Sequence, residues 1–344
     1  MTNFELLQRL CETPGVPGRE EKIRELVIAE MTPLVDEIRV DAMGSVIGTK
    51  KGMDGPVVMI AAHMDEIGFI VKHIDDKGFV RVQPLGGFDP RNLIAQRVQV
   101  HCHTGETLLG AFMPSAEGPE ADRTKARKLT DLYIDLGLSG DVAKSKIELG
   151  DPVTMARTCE RIGENVVSKS LDNRLSVFVM LEALRTMSAS RCTIHAVATV
   201  QEEIGLRGAL PAAFALQPNI GIALDVTLAK DVPGGSEPER VTELGKGTAI
   251  KIMDSSLICD RRIVKDFRRV AEAHGILYQL EILAAGGTDA GAIQRSRGGV
   301  PSFTLSTPTR YIHTVNEMAS VKDIEAGIHL LASWLEEAHL LDLS

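Results

Sequence analysis

Four apolar runs with strand character recur along this chain: VVMIAA at 57–62, TIHAVATV at 193–200, NIGIALDV at 219–226 and PSFTLS at 301–306. Between and around them, apolar residues fall at helical spacing. Residues 20–35 carry Ile23, Leu26, Val27, Met31 and Leu34, residues 173–187 read as helical, and KDFRRVAEAHG at 265–275 reads as a helix ending at a glycine cap. A short amphipathic helix opens the chain, with Phe4, Leu7, Leu10 and Cys11 on one face. The tail, VKDIEAGIHLLASWLEEAHLL, aligns Val321, Ile324, Ile328, Leu331 and Leu335. Strands that are apolar throughout must be covered on both faces. Alternation with helices therefore predicts an α/β fold: a mostly parallel sheet flanked by helices.

From 67 to 162 the texture changes. Short β-type runs (GFIVKHI, FVRVQPL, RVQVHC, LLGAFM, DPVTM) alternate with turns built on Gly, Asp-Lys-Gly and His-Thr-Gly. The polar stretch 115–131 reads as an exposed loop within this region. The expected organisation is one α/β domain, 1–66 plus 163–344, interrupted by a small β-rich domain at 67–162. SGDVAK and the cysteines read as structural.

Composition narrows the function. The 344 residues are 44% hydrophobic and 25% charged, with a net charge of −9. Such a surface repels phosphate backbones, so nucleic-acid binding is not expected. No apolar run reaches the roughly 18 residues that cross a bilayer, and no basic amphipathic stretch suggests a membrane surface. The N-terminus lacks a secretory pattern. The five cysteines, at 11, 102, 159, 192 and 259, are scattered, odd in number and without a CxxC pair. A reduced, cytoplasmic protein without a disulfide framework is the expectation.

Ligand-type residues gather where an open α/β sheet places its sites, just beyond the carboxyl ends of strands. His63 and Asp65 follow VVMIAA; Glu202 and Glu203 follow TIHAVATV; Asp225 follows NIGIAL; His313 follows PSFTLS. Asp172, in KSLDNRLS, stands at the start of a helix. Taken singly, each has a plainer reading. A lone strand-end histidine is an ordinary hydrogen-bonded residue, Asp172 a helix N-cap, and the Glu-Glu pair a solvated loop. Together they form one chemical class repeated after four strands. Imidazoles and carboxylates alone suit Zn²⁺ or Co²⁺, and also Mn²⁺. Two histidines and three carboxylates exceed the needs of one structural zinc and match two metals sharing a carboxylate, each with a place for water. One acid of the Glu-Glu pair then stays free as a general base. Asp65 lies on the same side of an extended chain as His63 and can accept its other ring N–H.

The set AHMDEIGF, KSLDNR, QEEIG, ALD and TRYIHT resembles the M42 family of metallo-aminopeptidases, the tetrahedral cytoplasmic aminopeptidases that include glutamyl aminopeptidase. The resemblance extends over PLGGFDPRNLIAQRV, KLTDLYIDLG and GGTDAG, so it covers essentially the whole chain. It implies that His63 and Asp225 bind one metal, Glu203 and His313 the other, and that Asp172 bridges them. It implies Glu202 as general base and acid, with Asp65 supporting His63. It further implies short peptide substrates, a zinc-peptidase-like catalytic domain and a PDZ-like inserted domain used for dimerisation. Such dimers build tetrahedral dodecamers around a chamber.

Outside this set, His73, His101 and His103 read as surface or packing groups of the insertion, His195 as a hydrogen-bonded core residue and His274 as a cation at a helix end. GGTDAG reads as a tight loop held by Asp289. Two rival functions share the residues. Paired carboxylates alone would serve a glycosidase, but one Trp and three Tyr leave few platforms for sugars. A non-catalytic, metal-stabilised assembly protein would have no need of Glu202. The preferred N-terminal residue stays open between acidic, aliphatic and broad.

Overall fold

The computed structural model describes residues 3–115 and 127–343; most of the polar stretch expected as a loop at 115–131 lies outside them. The chain opens with α1 (Phe4–Glu12), α2 (Glu21–Met31), β1 (Glu37–Val40), β2 (Val46–Lys50) and β3 (Val57–His63). The insertion holds β4 (Gly68–Ile74), β5 (Val80–Leu85), β6 (Arg97–His101), β7 (Thr107–Pro114), β8 (Leu132–Asp135), α3 (Gly140–Lys146) and β9 (Pro152–Met155). Then come β10 (Glu160–Ile162), β11 (Asn165–Ser168), α4 (Leu171–Thr186), β12 (Thr193–Thr199), α5 (Ala209–Leu216) and β13 (Ile220–Leu228). The chain finishes with β14 (Thr248–Met253), α6 (Arg261–His274), β15 (Tyr278–Ile282), α7 (Asp289–Gln294), β16 (Ser302–Arg310), β17 (Glu317–Ser320) and α8 (Val321–Glu337). None of these helices is long and apolar enough to cross a membrane.

Eleven strands form one sheet in the order β1-β2-β12-β3-β13-β16-β17-β11-β10, with β14 pairing β16 and β15. Its centre, β12-β3-β13-β16, is parallel. Apart from the parallel pair β14-β15, its flanks are antiparallel, so the sheet is mixed rather than mostly parallel. Parallel neighbours need a crossover, whereas the short connections β1-β2, β10-β11 and β16-β17 force antiparallel pairs; β2-β12, β11-β17 and β14-β16 join segments distant in sequence. β1 and β2 are joined across Asp41, whose Oδ1 accepts N–H groups of Met43, Gly44 and Ser45, each at 2.9 Å. β10 and β11 turn at Gly163, whose φ of +61° lies in the left-handed region.

The apolar central strands are buried on both faces, as their composition demands. In β3, Val58, Ile60 and Ala62 enter one core with α1, α4, α6 and α8, while Met59 and Ala61 enter another with α5 and α7. The period of two sends successive side chains to opposite layers. The main core includes a stack of Phe267 on Phe303 and Trp334, with ring centroids 4.4 and 4.6 Å apart. The glycine cap read after 265–274 is present: Gly275 has φ +64°.

The insertion is a closed antiparallel barrel, β4-β5-β8-β7-β6-β9, sealed by Phe69 against Val153. It has its own core around Phe69, Phe112, Val100 and Ile134. Residues 160–162 pair with β11 in the large sheet rather than with the barrel. SGDVAK forms α3.

Candidate active site

β3 ends at His63, and its parallel register sets Thr199 of β12 beside it. The side chains expected from four strand ends and one helix start meet in a cavity of about 470 Å³ whose lining includes His63, Asp172, Glu202, Glu203, Asp225 and His313. Asp172 stands between the histidines. Its Oδ1 is 3.3 Å from Nε2 of His63 and its Oδ2 is 3.3 Å from Nε2 of His313. Asp225 Oδ1 lies 4.0 Å from His63 Nε2, and Glu203 Oε2 lies 3.4 Å from His313 Nε2. Two clusters with converging ligand atoms result, His63–Asp172–Asp225 and Asp172–Glu203–His313, with Asp172 common to both. Glu202 belongs to neither; its Oε2 is 3.8 Å from His63 Nε2.

The backbone here is unusual. Gln201, Ser170 and His313 all have φ near +60° without being glycine. Left-handed conformations at such residues persist only where the surroundings enforce them. The enforcement is visible. Asp65, fully buried, accepts the N–H groups of Glu202 and Glu203 at 3.0 and 3.1 Å. Nδ1 of His63 finds its nearest partner in the backbone carbonyl of Asp65, at 3.1 Å, with Oδ1 farther at 3.5 Å. The carboxylate thus mainly braces the Glu-Glu turn.

Three supports escape a reading by strand ends. Buried Glu317 accepts the N–H of Asp172 at 2.9 Å and that of His313 at 2.8 Å, tying together two segments distant in sequence. An acid opening a strand next to the ligands was the available signal. Lys251, fully buried near Asp225, is paired with Glu281, which also accepts from Thr227 at 2.6 Å. Glu66 is paired with Lys169 and lies 3.5 Å from Arg174, whose guanidinium donates to the carbonyls of Leu10 and Thr13. Asp289 opens α7 and accepts the Thr199 hydroxyl.

Electrostatics show what the pocket suits. Burial pushes the carboxyls of Glu202, Asp225, Glu203 and Glu317 up, and their mutual repulsion adds to it. Burial alone would depress the two histidines. The carboxylates outweigh it, raising His63 and bringing His313 up to about 12. Burial also works against the Asp172 anion, but the two imidazoles hold it low. Such a concentration of buried anions calls for cations. Oε1 of Glu203 is buried with no hydrogen-bond partner among the described residues, an acceptor waiting for a positive centre. The donor set, two imidazoles and carboxylates with no thiolate, fits divalent metals of the zinc, cobalt and manganese type.

Three of the other histidines have ordinary partners. His195 Nδ1 lies 3.0 Å from Thr49 Oγ1, His101 Nε2 lies 2.9 Å from Thr154 Oγ1, and His274 Nε2 lies 2.8 Å from Glu337.

The chain is similar to known proteins along nearly its whole length. A family model described as M42 glutamyl aminopeptidase matches residues 44–330. A putative aminopeptidase of Acetivibrio thermocellus is 42% identical over 329 residues, covering 95% of this chain and 97% of its own. An aminopeptidase from the archaeon Desulfurococcus kamchatkensis superposes with a TM-score of 0.94 at 38% identity, covering 97% of this chain and 94% of its own. The TET1 peptidase of Pyrococcus horikoshii, which can assemble into a tetrahedron or a large octahedral shell, superposes at 0.86 and 30% identity, covering 97% and 99%. A match running from the second strand into the last helix, with the acids and histidines converged in one cavity, places this chain in the M42 family of aminopeptidases, hydrolases that act on peptides.

Proposed function

We propose that this protein is a dinuclear-metal aminopeptidase that removes N-terminal residues from short peptides. The observation that carries the reading is Asp172, whose two oxygens each stand 3.3 Å from a different histidine and belong to two overlapping ligand clusters. His63, Asp172 and Asp225 would hold one cation, and Asp172, Glu203 and His313 the other, as Zn²⁺ or Co²⁺, with Mn²⁺ a third candidate. Bound there, the pair supplies Lewis acidity toward a water and the scissile carbonyl.

The chain's own residues do the rest. Glu202, outside both clusters yet within the cavity, takes a proton from the attacking water and hands it to the departing amine as the C–N bond breaks. Burial raises its carboxyl above the usual range, which makes it the stronger base toward water. Asp65 fixes Glu202 and Glu203 by their amides, and Glu317 fixes Asp172 and His313 in the same way. The cavity's size admits the end of a peptide chain.

The inserted barrel is the proposed PDZ-like dimerisation domain, with dimers building a tetrahedral dodecamer; the assembly of the horikoshii peptidase supports this. Five free, buried cysteines accord with a reducing cytoplasm.

The test is hydrolysis of aminoacyl-p-nitroanilides and short peptides by chelator-stripped protein, before and after adding Zn²⁺, Co²⁺ or Mn²⁺. Metal-restored release of single N-terminal residues is expected. Absence of release from protein holding two ions per chain would refute the reading. Hydrolysis of β-glucan that survives EDTA would point instead to a two-carboxylate glycosidase.

A further inference from the structure

His313 sits in the short connection between β16 and β17, where Thr314 donates to the Tyr311 carbonyl at 2.7 Å and accepts the Asn316 N–H at 3.1 Å, bonds that leave the His313 ring itself unsupported. Tyr311 and His313 have φ of +60° and +64°, conformations that non-glycine residues adopt only under constraint. From the large sheet, Glu317 supplies one constraint through the His313 amide. Ile312 packs against the main core, and further constraints come from the barrel. Val315, two residues beyond His313, is 8% exposed and packs into the barrel's hydrophobic core with Phe69 and Phe112. A small cavity behind it is lined by Phe88, Leu93 and Met155 of the inserted region together with His313 and Val315. Phe88 is itself anchored by stacking on Phe69, with centroids 4.3 Å apart.

The turn leading into Phe88 reaches the ligands. A methyl group placed on Gly87 would stand 3.2 Å from Nδ1 of His313. One placed on Gly86, where φ is +90°, would stand 3.3 Å from Oε2 of Glu203 and 2.4 Å from Ile67. Glycine lets this backbone run directly against an imidazole and a carboxylate. Both neighbours belong to the Asp172–Glu203–His313 cluster.

We propose that the barrel is a working part of the second metal centre: Val315 seated in the barrel core, and the Gly86–Gly87 turn against the ring, hold His313 in its ligating orientation. Val315 and Gly87 are positioning residues; neither touches substrate. The inference rests on the two-metal reading above and adds that the inserted domain, besides any role in assembly, sets the affinity of one of the two ions.

The test is titration of chelator-stripped protein with Co²⁺, followed by calorimetry and by the visible absorption of bound cobalt. Three variants are compared with the unaltered chain: Val315→Ala, Gly87→Ala and, as a control, Val100→Ala, which removes the same two methyl groups from the barrel core in β6. Val315→Ala and Gly87→Ala should keep one ion at its original affinity and weaken the other by about tenfold or more, the range seen when groups that orient a ligand are removed. Their cobalt spectra should change for that ion alone. Val100→Ala should lower Tm as Val315→Ala does while leaving both affinities intact. Unchanged affinities in Val315→Ala and Gly87→Ala would overturn the inference and leave the two-metal reading standing. Equal weakening in Val100→Ala would also overturn it, by showing a general effect of barrel stability. An unaltered chain that takes up fewer than two ions would overturn both.

Discussion

His63 and His313 present the same ring nitrogen to the same carboxylate at the same 3.3 Å, from opposite kinds of structure. His63 terminates a central parallel strand, is 2% exposed, and takes its place from the sheet register and the close packing around it. The His313 side chain is 34% exposed on a strained turn and takes its place from Glu317 on one side and the barrel on the other. One ligand is a by-product of the core, which any folded version of this sheet will contain. The other is assembled from parts that must each be present. Sites built this way have a half that fails only when the fold fails and a half that can be tuned without unfolding.

Three measurements would sharpen or break this comparison. The largest effect falls on neither half. Glu202→Gln should lower kcat by about 10²–10⁴, the usual worth of a general base, while both ions remain bound by elemental analysis. If that variant turned over normally, Glu202 would have no part in proton transfer. Next come the histidines themselves. His63→Ala should lower the stability of the metal-free protein by about 1–3 kcal/mol, because Asp172, Asp225 and Glu202 lose their buried partner. His313→Ala should cost less than half as much, yet still lose one ion. Equal losses in urea unfolding would mean that the two halves are built alike.

The smallest effect lies outside the site. Asp323, two residues into α8 behind β17, accepts the N–H groups of Gly245 and Gly247 at 2.7 and 2.6 Å. Burial pushes its carboxyl up to about 6. The folded protein therefore holds this proton more tightly than the unfolded chain does. That contribution is complete below about pH 4, where both states are protonated, and disappears as pH rises to about 6. Relative to Asp323→Asn, the unaltered chain should lose Tm between pH 4 and 6 and run parallel above. A difference that grew with pH would reverse the assignment.

Much of the frame was legible because it rests on periodicity. The apolar runs at 57–62, 193–200, 219–226 and 301–306 are the four central strands, and the helices α4, α6 and α8 start and stop close to where their spacing and caps place them. The candidate ligands drew attention for the same reason: a charged residue that ends an apolar strand is conspicuous. Antiparallel flanks were not, because pairing between distant hairpins leaves no trace in local spacing. Glu317 and Lys251 escaped notice because each looks like an ordinary strand residue; their roles exist only once β17 and β14 lie beside β16. Asp289 was read within a tight loop, whereas four apolar or small residues after it suffice to start α7.

The strand order also has a meaning in time. β16 fits between β13 and β17, so β13 waits for a partner that is among the last segments to be made. During synthesis at about 5–20 residues per second, the emerging chain shows an apolar strand edge for seconds before β16 arrives to cover it. An open edge of that kind invites pairing with another nascent copy. That edge of β13 therefore stays uncovered between the emergence of residue 228 and that of residue 310, and slow translation across the intervening segments would lengthen the exposure.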